Sequence, residues 1–201
     1  MNTMQYFELS IDLQDHDAWY LGAISEVDNW RLVRPPMIPV DSPLRDTAGQ
    51  PYKTILKHDG KPMDYTVAGY ASVPVVSFKV IRALSGLGGF TGFPVDIEGF
   101  AQKDLYNILH FWDVADCFDE ARSSFEIIPE NDPIRPDLAG NYRSVTKLVI
   151  DPDRAEGKHI FRIARLEGRV IVSEEVKRRF EAAAVTGAVF LDVTRVEEPL
   201  A

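Results

Sequence analysis

Three groups of residues in this chain have the side chains that chemistry needs. The first is Trp112-Asp-Val-Ala-Asp-Cys-Phe-Asp-Glu120, which sets Asp113, Asp116, Asp119 and Glu120 around Cys117. Close carboxylates can hold a hard cation, split their pKa values for proton transfer, or attract a basic protein surface. No calcium-loop spacing is present and no second acidic motif completes a site, so a solvated acidic edge is the simpler reading and no metal is expected. The second is Gly86-Leu-Gly-Gly-Phe-Thr-Gly92. A dinucleotide loop needs a strand before its glycines and a helix opening after them. Here a helix ends at Gly86 and Phe93-Pro94 follows, which fits a helix cap and a turn running through Gly92. The third is Arg162 and Arg165 in the strand-like Phe161-Arg-Ile-Ala-Arg165. These could receive an anion, but alternation buries Phe161 and Ile163 and leaves Arg162 on the other face, where it pairs most simply with a carboxylate.

The remaining reactive types form no constellation. His16, His58, His110 and His159 lack metal-ligand spacing, and His110 sits in an apolar run where a hydrogen-bonded structural histidine is expected. Cys117 has acidic and aromatic neighbours and no adjacent cation to stabilise a thiolate, so it reads as a core residue. No GxSxG elbow surrounds a serine, and Ser77-Phe-Lys79 has the wrong spacing for a serine-lysine pair. No catalytic residue and no cofactor is therefore assigned.

The elements that must position these residues follow from periodicity. Phe7 to Leu13 alternates apolar and polar residues and predicts a strand; Trp19-Tyr-Leu-Gly22 supplies packing. Six prolines between Pro35 and Pro62 break any period across 29–62, predicting a long irregular connection with a short strand near Tyr52 to Leu56. Tyr65 to Tyr70, Phe93 to Ile97, Tyr106 to Trp112, Val145 to Ile150, His159 to Ile163, Val170 to Val172 and Ala188 to Val193 read as strands. Ser77 opens a short helix carrying Phe78, Ile81 and Leu84. Ser173 opens a second, with Glu174 and Glu175 first and Lys177, Arg178 and Arg179 later, the order that the helix dipole favours. This is an α+β pattern: a largely antiparallel or mixed sheet with a few packed helices in two lobes, 1–92 and 93–201, or one continuous domain.

Composition limits the partners. Of 201 residues, 22 are Lys or Arg and 31 are Asp or Glu, giving a formal net charge of -9. That balance repels nucleic acid and anionic membrane faces. One cysteine excludes an internal disulfide. No apolar run is long enough to span a membrane, and the amino terminus lacks an export signal, so a cytoplasmic protein is expected.

Several segments occur together in an order that resembles a known group. Phe7-Glu-Leu, Trp19-Tyr-Leu-Gly22, Phe93-Pro-Val, Asp116-Cys-Phe-Asp119 with a serine after it, Ile160-Phe-Arg-Ile163, Val172-Ser-Glu-Glu-Val176 and Thr186-Gly-Ala-Val-Phe190 are similar to a family of bacterial polymorphic-toxin immunity proteins, formerly a domain of unknown function. The resemblance covers most of the chain and is best from Phe93 to Val193. It implies an antidote that neutralises a cognate toxin by binding it, without catalysis, and it lends no catalytic residues. The acidic balance suits a basic toxin cleft, which makes Asp113, Asp116, Asp119 and Glu120, with the 29–62 connection, the expected contact. A homodimer stays open. The other reading is a small-molecule-binding protein or enzyme with its site between the two lobes.

Overall fold

Alternating apolar residues build two strand systems and pack them against each other. The computed structural model describes residues 4–33, 51–101 and 106–194. In chain order the elements are β1 (Tyr6–Ile11), β2 (Tyr20–Leu21), α1 (Asn29–Val33), β3 (Tyr52–His58), β4 (Tyr65–Ala68), β5 (Val73–Ser77) and α2 (Phe78–Ala83). Then come β6 (Phe90–Glu98), β7 (Tyr106–Phe111), β8 (Val114–Ala115), β9 (Ser124–Ile127) and β10 (Tyr142–Lys147), followed by β11 (Ile160–Ile163), β12 (Leu166–Ser173), α3 (Glu174–Ala182) and β13 (Ala188–Asp192).

Six strands close a barrel in the order β2-β3-β6-β7-β5-β4. Closure leaves no free edge, and Trp19, Leu21, Val73, Val75, Val95 and Ile108 fill the inside. A five-stranded sheet, β13-β1-β12-β11-β8, lies beside it, with one parallel join between β11 and β8. A hairpin of β9 and β10 completes the mixed α+β fold. Strands from both sides of position 92 enter each system: the barrel draws on 20–111, and β1 joins the sheet from the amino end.

The central strands of the sheet are buried on both faces. Toward the barrel, Phe7, Leu9, Ile160 and Val172 meet Val76, Leu109 and Phe111, with Val80 of α2 and Phe180 of α3 sealing the seam. On the far side, Tyr6, Phe161, Ile163 and Ile171 meet Phe118 and Tyr142. This double burial corrects the reading of Arg162. Alternation does place it opposite Phe161 and Ile163, but that face is covered by the barrel and not by water, and Arg162 is only 2% exposed. No carboxylate among the described residues lies within ion-pair distance of it.

The helices start where capping residues predict. Ser77 and Ser173 hold the N-cap positions of α2 and α3 in extended backbone. Neither hydroxyl caps its helix: Ser77 Oγ donates to Asp64 Oδ1 at 2.7 Å, and Ser173 Oγ lies 2.8 Å from His159 Nδ1. The glycine run serves packing. Gly89 adopts φ +94°, and a Cβ there would stand 2.1 Å from the Ile160 carbonyl oxygen, so glycine lets the barrel approach β11. A strand follows, not a helix, and Gly92 lies inside β6, where a turn was expected. Other boundaries also move. The residues just before Ser77 form a strand of their own, β5; the strand expected at Val145 to Ile150 is shifted to Tyr142–Lys147; and β3 runs to His58, with α1 preceding it. Residues 34–50 of the predicted irregular connection lie outside the described residues.

Candidate functional site

The four predicted acidic residues share one edge of the sheet, at the start and end of β8 and in the turn after it. Asp113 faces inward locally: its Oδ1 accepts from the Val114 amide at 3.0 Å, while its carbonyl takes the Arg162 amide at 2.8 Å. Asp116 is exposed and stands 3.1 Å from Arg154 Nη2. Asp119 Oδ2 lies 2.5 Å from Arg122 Nε. Glu120 Oε1 accepts from the Tyr142 hydroxyl at 2.6 Å and from Arg165 Nη2 at 3.1 Å. Burial pushes the Asp119 carboxyl up, but the hydrogen bonds from Arg122 outweigh it and hold the group below its usual range. Hydrogen bonds from Tyr142 and Arg165 do the same for Glu120. Three of the four carboxylates, those of Asp116, Asp119 and Glu120, are thus each paired with a guanidinium. Among the described residues no three His, Cys, Asp or Glu side chains are grouped to hold a metal ion.

Spacing could show only one of those partners, Arg122, one helical turn's distance from Asp119. Tyr142 and Arg165 are supplied by β10 and by the turn between β11 and β12, far along the chain. Arg165 takes the left-handed conformation at φ +64°, uncommon for a side chain of its size. That backbone aims its guanidinium over the Tyr142 ring at 4.7 Å from the ring centre, and Nη2 donates to the Tyr142 hydroxyl at 2.6 Å. Tyr142 in turn stacks on Phe118 at 4.1 Å, and Phe125 meets both edge-on. Burial and the Glu120 hydrogen bond push its phenol up to about 12. Ile127, its cross-strand partner, is 45% exposed. The result is a rigid arginine–tyrosine–carboxylate cluster on an aromatic base, open to solvent on one side.

A second concave feature lies between barrel and sheet. It is a cleft of about 260 Å³ lined by Ser10, Trp30, Tyr65, Ser72, Arg162 and Arg169 among others. Here β12 is bulged: Arg162 pairs with Val170, but the next residue, Ile163, pairs with Leu166. The bulge turns the Glu167 carbonyl toward Arg162, whose Nη1 donates to it, and Nε donates to the Phe111 carbonyl at 3.4 Å. Burial lowers the Arg162 pKa to about 10. Arg169 is neutralised by Glu8, 2.5 Å away. The larger groove between α2 and α3, about 530 Å³, is lined by Phe78, Lys79, Arg82, Ala83 and Ala183 and has no buried charge in its wall.

The profile of the immunity protein family Imm11 matches residues 5–195, spanning β1 to beyond β13 and including both the acidic edge and the cleft. The chain belongs to the Imm11 immunity protein family. No curated protein matches the chain. Within this Imm11 chain, the motifs that carried the resemblance are mainly framework, Asp116 and Asp119 of the acidic edge excepted. Phe7, Trp19, Phe161, Val172 and Val176 are all buried, and Thr186-Gly187 forms the turn into β13. Glu120, Tyr142, Arg165 and Ile127 of the edge cluster lie outside those motifs. No described helix is long and apolar enough to cross a membrane.

Proposed function

We propose that this Imm11 protein acts in the cytoplasm as an antidote that binds a cognate toxin and blocks it without chemistry of its own. The observation that carries this reading is the family match over nearly the whole chain. The proposed contact is the edge bearing Asp113, Asp116, Asp119 and Glu120, extended by Arg165 and Ile127, with the buried Tyr142 holding Arg165 in place from beneath. An arginine held on a rigid aromatic base, as Arg165 is on Tyr142, is among the residue types that dominate binding energy at protein interfaces. The ion pairs of this edge are half exposed, and such pairs contribute about 0–1 kcal/mol, so Asp116 and Glu120 can exchange Arg154 and Arg165 for basic groups of a partner at small cost. The chain's charge of -9 would speed encounter with a basic toxin surface.

Co-expression with candidate toxins encoded by neighbouring reading frames tests the reading. Protection of cells and a stable complex are expected. Asp116→Lys with Glu120→Lys should slow association on the order of tenfold at low salt, with the difference shrinking as salt rises. Failure to bind or protect against any neighbouring toxin would overturn the antidote reading. Unchanged association kinetics in the double variant would move the contact to another face.

A further inference from the structure

Arg162 is a buried charge without a counter-charge. Buried charges in folded proteins are ordinarily paired, because removing an ion from water costs more than neutral partners return. Here the guanidinium is 2% exposed and donates only to two neutral carbonyls, those of Phe111 and Glu167, with the Phe111 ring 5.6 Å from its carbon centre. Of its five N–H groups, the other three have no partner among the described residues. The Glu167 carboxylate assists only at longer range. The one other charged pair in the cleft wall, Arg169 with Glu8, cancels itself. So in a chain of net charge -9 this cleft carries one uncompensated positive charge.

The surrounding groups suit a particular ligand. Tyr65 lines the same cleft, is 3% exposed, and its hydroxyl makes no hydrogen bond to any described residue. Its phenol is held protonated by burial, so it remains a donor. Ser10 and Ser72 add hydroxyls, and Ser72 is fixed at φ +52°. In the cleft wall Trp30 is 44% exposed, and its ring meets that of Tyr70 in a tilted contact at 5.9 Å. A charged fork, a neutral phenol donor and apolar walls of Leu9, Val67 and Val170 make a receptor for a small planar anion with an apolar body.

We infer that the cleft between barrel and sheet is a carboxylate-binding site in which the Arg162 guanidinium and the Tyr65 hydroxyl hold the ligand's carboxylate. Carboxylate binding here does not depend on the antidote reading, since the site lies in a different part of the molecule from the acidic edge; only the assignment of the carboxylate's source rests on that reading. The carboxylate can be that of a free small acid or of an acidic side chain presented by a partner, and both need the same donors.

The test is an NMR titration of the full chain labelled at arginine, with sodium acetate and sodium butyrate as probes and sodium chloride at equal ionic strength as control. A saturable shift of the Arg162 Nε–H resonance with acetate, stronger with butyrate and absent with chloride, is expected. Tyr65→Phe, which keeps the packing, should weaken apparent affinity by roughly threefold to tenfold. Loss of the acetate response on adding the cognate toxin would assign the carboxylate to the partner; retention would assign it to a free acid. A linear response identical to that of chloride, or full affinity in Tyr65→Phe, would overturn the proposal. Because the wild-type titration is decisive by itself, no outcome depends on whether an Arg162 variant folds.

Discussion

Asp64 is the best single residue at which to test how barrel and sheet are joined. It sits between β3 and β4, and its carboxylate gathers donors from three places. Ser77 Oγ reaches Oδ1 at 2.7 Å; Lys79 Nζ reaches Oδ2 at 2.7 Å; and Thr186, in the turn before β13, gives Oδ2 both its amide and its hydroxyl at 3.1 Å. Burial alone would raise this carboxyl's pKa, but the hydrogen bonds from Lys79, Ser77 and Thr186 outweigh it and the pKa is lowered. Asp64→Asn keeps the shape and one acceptor but turns an amide N–H₂ toward donors. The Lys79 pair is nearly half exposed on the lysine side and contributes less than about 1 kcal/mol. One lost charge-assisted bond within the fold costs about 1.5–3 kcal/mol. The expected loss is therefore about 2 kcal/mol, or roughly 4–8 °C in Tm for a chain of this size. A carboxylate whose folded pKa is depressed stabilises the fold above its unfolded pKa, near 3.9, and loses that contribution as pH falls through the folded value. The gap between wild type and Asp64→Asn, measured by denaturant unfolding, should be full at pH 7 and shrink progressively below about pH 4. A loss under about 0.5 kcal/mol at pH 7, or a gap that does not shrink on acidification, would refute the clasp.

Three further outcomes follow from buried groups. Gly89→Ala must move the Ile160 carbonyl or abandon φ +94°, so it should lower stability by more than about 2 kcal/mol in thermal unfolding; a near-neutral variant would mean the two strands are not in that contact. Cys117 is buried and its thiol is pushed up to about 12 by burial, so iodoacetamide at pH 8 should leave the native protein unmodified and label it stoichiometrically once unfolded. His110 donates from Nδ1 to the Leu32 carbonyl at 2.9 Å, and burial, helped by the charge of Arg162, lowers its pKa. The unfolded chain takes up a proton that the folded ring refuses, so stability should fall as pH drops below about 6.5. His110→Phe should flatten that limb, and an unchanged slope would exclude His110 as its source.

The sequence fixes what repeats locally. Alternation in Phe7 to Ile11, apolar runs such as Ala188 to Asp192, and serines ahead of two amphipathic runs determined strands, both longer helices and the α+β class, because these patterns are local and need no reference to distant chain. The acidic cluster and the structural role of His110 were legible for the same reason: residue type and neighbours suffice. What the chain could not reveal alone is which face meets what. The alternation of Arg162 was read correctly and its environment was not, since the barrel that covers it is assembled from residues 20–111. Arg154 and Arg165, which neutralise Asp116 and Glu120, arrive from 38 and 45 positions away. Charge compensation and desolvation depend on separations in space of a few ångströms, and only closure of the barrel against the sheet sets those separations.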